Sequence, residues 1–540
     1  MAKRLLFFLI VVLVPNTQYA QSKLDRPKLI VGIVVDQMRH DYLYRYYDKY
    51  SENGFKRILK EGFSCENLHY NYAPTVTAPG HASIYTGTTP AYHAIIGNEW
   101  FQRYSRKSMY CVEDESVSNV GSTTIAAGKK SPKNLIASTM TDELRLFFYN
   151  KSKVIGLSIK DRGSILPAGH NPTGAYWYDD QSGNFITSTY YRDNLPDWVS
   201  KFNNEKWVPK LLSQGWNTLK PINEYTESTT DLNPYEGKLA GEKDPVFPRV
   251  FDMSKPNYGA INVTPHGNTM LTEIALRAIA GESLGTDEIT DFLALSYSGP
   301  DYAGHLFGLQ SIEIEDIYLR LDLEVARLLQ FLDEKVGKNQ YLLFLSADHA
   351  VAQVPQFLMD QRHSAGYLSS VTMMDSLKKM LTKKYDPNII DGMSNHQIYL
   401  NEDRISFKKL NRSAIVSDIK SFLQNMPGVF QVWDRSEIPS LSNNLPMNRM
   451  IQLGFNTNRG GDIIYALLPA WLESSFRTGT SHSSPYNYDT HVPGLFFGWS
   501  VPAGKSYARY EITDIAPTIT HMAKITLPNA SIGKVIEFVK

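Results

Sequence analysis

The sequence predicts an α/β fold: a doubly wound, mainly parallel central sheet with helices on both faces. Four segments are short runs made almost entirely of apolar residues, a pattern typical of parallel strands that are covered on both faces. The intervening stretches include helical patterns such as the one from Ile314 to Val336. With 540 residues, of which 42% are hydrophobic, the chain can bury a large core. The four apolar segments are 29–35, 154–159, 292–297 and 341–346.

Each apolar segment leads to a polar residue that is able to take part in catalysis. The first ends at Asp36, the second at Lys160, the third leads to Asp301, and the fourth leads to Asp348 and His349. In doubly wound sheets, ligands bind in the crevice outside the carboxyl ends of the strands. We therefore expect these side chains to meet in one crevice.

The N-terminal segment 1–20 has the layout of a signal peptide. Lys3 and Arg4 precede ten apolar residues, Leu5 to Val14, and a small residue, Ala20, follows. Ten apolar residues fall well short of the roughly 20 that span a bilayer. We expect cleavage near Ala20, no stable membrane insertion afterwards, and a periplasmic or secreted protein.

The remaining residues, 21–540, are predicted to form one catalytic domain that carries cap-like insertions. A stretch near 163–265 is rich in Tyr, Trp, Asn, Pro and Gly, and a second near 350–472 mixes short strands with Lys-rich helices. The sequence contains no internal repeat and no linker that would mark a clean domain boundary.

Charge and cysteine content narrow the class of partner. Lys plus Arg and Asp plus Glu both total 55, so the formal net charge is zero. The chain therefore lacks the net positive charge that is typical of proteins that bind nucleic acid. A small-molecule partner is therefore expected. The only cysteines, Cys65 and Cys111, exclude a Cys-rich zinc module but leave one disulfide open.

Asp and His residues form a candidate metal-ligand set. Asp301 and His305 are four residues apart, which brings them together on one turn of a helix, while Asp348 and His349 are adjacent. His482 adds another nitrogen ligand. Oxygen and nitrogen ligands without thiolate suit zinc in a catalytic site, and ligand type alone leaves manganese and cobalt open.

Thr77 is the candidate nucleophile. It lies on a Pro/Gly-rich turn, within 72–83, directly before a segment that predicts a helix start. The unpaired N–H groups of a helix N-terminus favour an alkoxide and any anion that it attacks. The same position suits an ordinary capping threonine, so this segment alone leaves both interpretations open.

These residues together resemble the alkaline phosphatase superfamily. The resemblance is carried by the candidate ligands, by Thr77, and by further motifs that are similar to the flavobacterial periplasmic, PafA-type branch. These motifs are 34–39, 158–162, 484–493 and 514–518.

The resemblance implies an exported phosphatase that hydrolyses small phosphate monoesters through a covalent phosphothreonine at Thr77, and acts as a monomer. It also implies two zinc ions per chain, with the Thr77 oxygen completing the second site. The ligands are Asp301, His305 and His482 for one ion and Asp36, Asp348 and His349 for the other.

Three further residues, Asn98, Lys160 and Arg162, are expected to hold the phosphoryl oxygens. A lysine charge and an arginine fork suit a dianionic monoester better than a diester.

The alternative is a phosphodiesterase or nucleotide pyrophosphatase of the same superfamily, which would lack the Lys160 and Arg162 pair. Thr77 and His81 argue against a sulfatase. A metal- or phosphate-binding protein without turnover is the alternative outside the enzymes. The role of His491 is left open.

Overall fold

The computed structural model describes residues 26–255 and 257–539. The predicted signal peptide, 1–20, lies outside the described residues. Among the residues that are described, no helix combines the length and the apolar character needed to cross a bilayer.

The described chain contains 21 strands. In chain order they are β1 Leu29–Val35, β2 Phe63–Cys65, β3 Leu68–His69, β4 Glu99–Gln102, β5 Lys107–Tyr110, β6 Asn119–Val120, β7 Val154–Ser158, β8 Gly174–Asp179, β9 Asn184–Ser188, β10 Asp291–Tyr297, β11 Tyr341–Ser346, β12 Gly366–Leu368, β13 Ile390–Ser394, β14 Gln397–Leu400, β15 Val429–Asp434, β16 Ile463–Leu467, β17 Trp471–Glu473, β18 His491–Val492, β19 Leu495–Gly498, β20 Gly504–Ser506 and β21 Tyr510–Glu511.

Ten of these strands form the central sheet, in the order β20-β2-β19-β11-β1-β10-β7-β8-β9-β6. The five neighbours from β11 to β8 are parallel, and antiparallel strands β19 and β9 flank them. The predicted α/β class and the four predicted parallel strands are therefore confirmed. The strand order places the first predicted strand, β1, between β11 and β10, and β7 follows β10, so all four predicted strands are direct neighbours in the sheet.

Helices cover both faces of this sheet. Every residue of β1, β7, β10 and β11 is buried, and since successive side chains of a strand point to opposite faces, neither face is exposed to solvent. The helices of eight or more residues are Thr77–Thr86, Met140–Phe147, Asp161–Ala168, Asp197–Asn204, Pro265–Gly281, Gly299–Phe307, Ile312–Leu332, Ser370–Lys384, Arg412–Gln424, Pro446–Gly454 and Ile515–Met522.

The long predicted helix begins close to its predicted start. Ser311 caps it by accepting a hydrogen bond from the Ile314 N–H (3.2 Å), and the regular helix is Ile312–Leu332. A wider turn, Asp333–Gly337, completes the predicted length as a π-helix.

The first predicted insertion, 163–265, lies partly within the central sheet. Its strands β8 and β9 extend the sheet beyond β7, and the helix Asp197–Asn204 follows them. The part that lies off the sheet therefore starts after β9, and the functional role of this segment stays a prediction.

The second predicted insertion, 350–472, forms a smaller sheet of its own, in the order β13-β14-β16-β15. The helices Ser370–Lys384 and Arg412–Gln424 contribute Leu377 and Ile419 to a hydrophobic core that is separate from the core of the central sheet. This unit is joined to the catalytic core at the turn before Thr77, where the Ala73 N–H donates to the Met450 carbonyl (3.3 Å).

The two cysteines are both buried and free. Cys65 ends β2, and Cys111 packs in a separate hydrophobic cluster with Trp100 and Trp177. No disulfide joins them in this structure, so the pairing that the sequence left open is absent.

Candidate metal centre and nucleophile

The carboxyl ends of the parallel strands converge on one crevice. Asp36 follows β1, Lys160 follows β7, and Asp348 and His349 follow β11. Asp301 lies in the first turn of the helix Gly299–Phe307, which follows β10. All of these strand ends lie at the same edge of the sheet because neighbouring strands are parallel and in register.

The structure brings the six predicted ligands together in two groups of three. The first contains Asp301, His305 and His482, and the second contains Asp36, Asp348 and His349; in each, the potential ligand atoms lie within 4.8 Å of one another.

In the first group, Asp301 Oδ1 faces both imidazoles. It lies 3.1 Å from His305 Nε2 and 3.7 Å from His482 Nε2. The four-residue spacing between Asp301 and His305 brings both onto one face of the helix, as predicted from the sequence. His482 arrives from a loop that is remote in the chain.

In the second group, His349 Nε2 lies 3.5 Å from Asp36 Oδ1 and 3.7 Å from Asp348 Oδ2. All three side chains are fully buried. The ring of His349 stacks on the ring of His482 at a centroid distance of 3.5 Å, so the two groups adjoin.

All three histidines present Nε2 to their group because Nδ1 is engaged by the backbone. Nδ1 lies 2.9 Å from the Thr480 carbonyl oxygen in His305, 3.0 Å from the Ala350 carbonyl oxygen in His349, and 2.7 Å from the Thr75 carbonyl oxygen in His482. A carbonyl oxygen can only accept, so Nδ1 carries the proton. In the neutral form of each ring the lone pair is then on Nε2, as metal binding requires.

The second group contains buried polar atoms without partners. Asp36 Oδ1, Asp348 Oδ2 and His349 Nε2 make no hydrogen bond to any described residue. Leaving such groups buried and unpaired is unfavourable by about 1–3 kcal/mol each. A divalent cation would satisfy all three, so these residues fit a metal ion.

The electrostatics of the crevice agree with a site that needs a cation. Burial, and the negative charge of Asp36 beside it, raise the pKa of the Asp348 carboxyl well above its usual range. Burial also raises the pKa of Asp301, but the neighbouring His305 and Lys160 outweigh it, so the pKa of Asp301 is low. Burial lowers the pKa of His482, which keeps that ring neutral and able to bind a metal.

Lys160 lies between the two groups. Its Nζ is 2.7 Å from Asp36 Oδ2 and 2.5 Å from Asp301 Oδ2, and it lies 4.8 Å from the centre of the Tyr302 ring. Burial lowers the pKa of this ammonium, but the two carboxylates outweigh that effect and raise it above the usual range. Lys160 is therefore charged and joins the two carboxylate groups.

Thr77 is the first residue of the helix Thr77–Thr86, and Val76 occupies the N-cap position. The cap is thus one residue earlier than the sequence predicted. Thr77 is 1% exposed, and its carbonyl oxygen lies 2.9 Å from His81 Nδ1. The other nitrogen of His81 contacts the Ser296 hydroxyl, so His81 packs behind the helix.

Asn98 lies beside the start of the same helix. Its Oδ1 accepts a hydrogen bond from the Ala78 N–H (2.9 Å), one of the N-terminal donors that have no partner within a helix. The side-chain amide is consequently oriented by the residue next to Thr77.

Arg162 and Lys160 flank the start of the helix Asp161–Ala168. Arg162 Nη1 donates to the hydroxyl of Tyr110 (3.0 Å), which in turn donates to Asp161 Oδ1 (2.6 Å). Nε of Arg162 is buried and makes no hydrogen bond within the described part of the chain. Tyr110 ends β5, and no motif in the sequence pointed to it.

Gln37 is a further site residue that the sequence analysis missed. Its Nε2 donates to Asp301 Oδ1 (2.6 Å), and its backbone N–H donates to Asp348 Oδ1 (3.2 Å). The backbone adopts a positive φ of 67° directly after Asp36, a conformation that is uncommon for residues other than glycine. Only this backbone conformation marks Gln37 as a site residue, and the conformation cannot be read from the sequence.

His491 belongs to a different cluster. Its ring stacks between the rings of His40 and His69 at 4.4 and 4.5 Å, and its Nε2 lies 3.0 Å from the Glu66 carbonyl oxygen. It takes part in neither of the two ligand groups.

Comparison with known proteins assigns the family. Residues 30–483 match the model of the type I phosphodiesterase / nucleotide pyrophosphatase family. The chain belongs to this family. It is an enzyme of the alkaline phosphatase superfamily, as the sequence motifs predicted.

The relatives that match nearly the whole chain include two bacterial proteins. Alkaline phosphatase PafA of Elizabethkingia meningoseptica is 45% identical over 518 residues, which cover 95% of each protein. A protein of Myroides odoratus named calcium-transporting ATPase is 46% identical over 524 residues, which cover 96% of this chain and 95% of the relative.

The family fold is also recognised in solved structures. The crystal structure of wild-type PafA superposes with a TM-score of 0.93 over 95% of this chain and 99% of PafA. A second PafA structure carries substitutions of one threonine, one asparagine, one lysine and one arginine. Their separations along PafA equal those among Thr77, Asn98, Lys160 and Arg162 here.

Proposed function

We propose that this protein hydrolyses phosphate monoesters to an alcohol and inorganic phosphate, through a covalent phosphothreonine at Thr77, with two zinc ions per chain. The observation that carries the proposal is the pair of ligand groups that meet at the stacked rings of His349 and His482. A second supporting observation is the position of Thr77 at the start of a helix, where N–H groups favour an anion.

The first group, Asp301, His305 and His482, would hold one zinc ion, and the second group, Asp36, Asp348 and His349, the other. Two bound zinc ions would stabilise the attacking oxygen of Thr77 and the oxygen of the departing alcohol at once.

The protein residues provide the nucleophile and its position. Thr77 Oγ1 loses its proton and attacks phosphorus, and the bond to the ester oxygen breaks as that oxygen takes up a proton and leaves as the alcohol. Water then attacks the phosphothreonine, which releases inorganic phosphate and restores the Thr77 hydroxyl. His81 and Asn98 fix the first turn of the helix, through the Thr77 carbonyl and the Ala78 N–H respectively. Such orientation contributes to the rate because the reacting atoms must be held in line.

The cationic side chains favour monoesters. Lys160 and Arg162 follow the same strand, and a guanidinium fork beside an ammonium suits the three oxygens of a dianion. A diester has one charge fewer and needs room for a second ester group. The diesterase activity in the name of the matched family is therefore the second candidate, and the two positive charges argue against it.

The name of the Myroides relative adds ATP to the substrates that should be tested. The terminal phosphoryl group of ATP carries a charge similar to that of a monoester, and the same residues would contact it. We also propose that the chain is exported to the periplasm, in line with the signal-peptide layout of residues 1–20.

The test is a trapping experiment on zinc-loaded protein. Rapid acid quenching during turnover of a labelled monoester is expected to leave phosphate on Thr77. Thr77→Ala should abolish the labelled protein and lower kcat by a factor of about 10⁴ or more, since it removes the nucleophile. Thr86→Ala, at the other end of the same helix, is the matched control and should remain active. Label on another residue would refute the assignment.

A further inference from the structure

A narrow cavity opens beside His482, between the turn that precedes Thr77 and the second insertion. The space is narrow and partly open to solvent. We name it the insertion pocket, defined by its apolar wall: Pro74, Ile451, Phe455, Ile464, Ala466 and Leu467.

The wall of the insertion pocket comes from two parts of the fold. Pro74 belongs to the catalytic core, and the other five residues belong to the helix Pro446–Gly454, to Phe455, which follows it, and to β16. Protein interiors are normally packed without gaps. Because such gaps are uncommon, an apolar gap next to charged side chains suggests a binding site for a ligand.

Several polar side chains that border the pocket already have partners, whereas Trp471 Nε1 is buried and has none among the described residues. The Tyr465 hydroxyl donates to Glu473 Oε2, and His396 Nε2 lies 3.2 Å from the same oxygen. Asn395 Nδ2 donates to the Glu99 carbonyl oxygen (2.6 Å), and Gln397 Oε1 accepts from the Gly461 N–H (2.7 Å). A polyol entering the pocket would find few free partners for its hydroxyls, and burying unpaired hydroxyls is unfavourable.

The insertion pocket adjoins the proposed leaving-group side of the crevice. His482 lines the pocket and is a ligand candidate of the first group. The backbone of Thr75, next to Pro74, holds His482 through Nδ1. A group that leaves phosphorus on the side of Asp301, His305 and His482 therefore faces this cavity.

We infer that the insertion pocket receives the leaving group of the ester, and that it selects a flat, apolar aromatic alcohol. The inference rests on the proposed function, because it takes the phosphoryl group to be bound beside Thr77. The second insertion then determines the specificity for the leaving group, because it provides five of the six apolar wall residues. The catalytic core provides the nucleophile and the candidate metal ligands.

Binding of two phosphonates by zinc-loaded protein tests this inference without turnover. Phenylphosphonate carries the aromatic ring and methylphosphonate does not, while both carry the same anionic group. We expect phenylphosphonate to bind at least about tenfold more tightly in calorimetric titrations, because burying the ring removes apolar surface from water.

Ala466→Phe fills the insertion pocket and should remove the advantage of phenylphosphonate while methylphosphonate still binds. Ala466→Val is the milder variant, which should reduce the advantage even if the Phe variant does not fold. Ala414→Phe adds the same ring on the helix Arg412–Gln424, which does not line the pocket, and should leave both affinities unchanged.

The outcomes separate this inference from the proposed function. Equal affinities for the two phosphonates in the wild-type protein would refute the role of the insertion pocket in binding the leaving group. They would not contradict the proposed phosphoryl site. An advantage that persists in a folded Ala466→Phe variant would also refute it. Failure to bind either phosphonate would overturn the proposed function together with the inference.

Discussion

At the scale of single residues, the backbone decides how the histidines are used. His305, His349 and His482 each place Nδ1 against a carbonyl oxygen, and each presents Nε2 to a carboxylate. The sequence predicted which residue types would meet. It did not predict which nitrogen would face the site, because the three carbonyl partners come from Thr480, Ala350 and Thr75.

Arg162 is the residue on which we base the choice between monoesters and diesters. Removing one preorganised donor to a transition state typically lowers the rate by about 10²–10³-fold. We expect Arg162→Ala to lower kcat/KM for an aryl monoester by about 100-fold or more, and to affect the matched methyl aryl diester much less.

Steady-state kinetics with the two esters measure this difference. Arg192→Ala is a suitable control, because Arg192 is a half-buried arginine whose Nε donates to the Thr173 carbonyl oxygen (3.1 Å), outside the crevice. Equal losses for both esters would contradict the assignment of Arg162 to the phosphoryl oxygens.

Gln37 is predicted to position the carboxylates of both ligand groups. Its side-chain amide orients Asp301, whereas the contact with Asp348 is made by the backbone N–H, which an alanine retains. Loss of an orienting hydrogen bond such as the one to Asp301 typically weakens metal binding by about 10–100-fold. We expect Gln37→Ala to lower zinc affinity by about that factor, as measured by competition with a chromophoric chelator. Gln330→Ala, on an exposed helix face, should bind zinc as the wild type does. Unchanged affinity in Gln37→Ala would show that Gln37 only packs there.

At the scale of elements, the helix Asp161–Ala168 connects Lys160 and Arg162, the proposed phosphoryl-binding residues, to the rest of the core. Lys160 takes its N-cap position. At its far end His170 Nδ1 lies 2.8 Å from Asp142 Oδ2, and Nε2 lies 2.8 Å from the Leu135 carbonyl oxygen. Both partners only accept hydrogen bonds, so both nitrogens are protonated and the ring is cationic.

This contact makes stability depend on pH. The hydrogen bond with Asp142 raises the pKa of His170 above 6.5, its ordinary value. The stabilisation is therefore complete below pH 6.5 and is lost as the pH rises through the higher pKa of the folded state. Since the side chain is partly exposed, we expect about 1 kcal/mol.

Thermal unfolding measures the effect. His170→Ala should lower the unfolding midpoint more at about pH 6 than at about pH 9, where the wild-type ring has lost its charge. His521→Ala, at an exposed helix end, should show no such difference. An equal loss at both pH values would mean that His170 contributes by packing alone.

At the scale of the whole molecule, the two ligand groups join distant parts of the chain. Asp36 and His482 are contributed by opposite ends of the sequence, and both lie within a few ångströms of the helix Gly299–Phe307 or the end of β11. A metal ion that binds only the folded chain stabilises it by mass action, by about 4 kcal/mol at a thousandfold excess over Kd.

Removal of metal should therefore affect activity and stability together. We expect dialysis against a chelator to abolish phosphatase activity and to lower the unfolding midpoint by several degrees, and added zinc to restore both. Metal analysis of the restored protein should find close to two zinc ions per chain. A protein that stays active with no bound metal would refute the dinuclear site.

The sequence by itself determined the α/β class, four parallel strands of the central sheet and the six candidate ligands. It did so because buried strands, and the Asp and His residues that follow them, are local patterns. The relation between these residues depends on strand order. Only the tertiary structure placed β1 between β10 and β11 and brought His482 to Asp301 across the fold. The division of the ligands into two groups was implied by the family resemblance and not by local patterns.

The tertiary structure also decided what local patterns cannot contain. The contacts of Gln37 depend on a positive φ and on two carboxylates that are far away in the chain. The insertion pocket exists only because β16 lies against the turn before Thr77. Local propensity specifies elements, whereas a site and its selectivity come from long-range contacts that form when the elements pack.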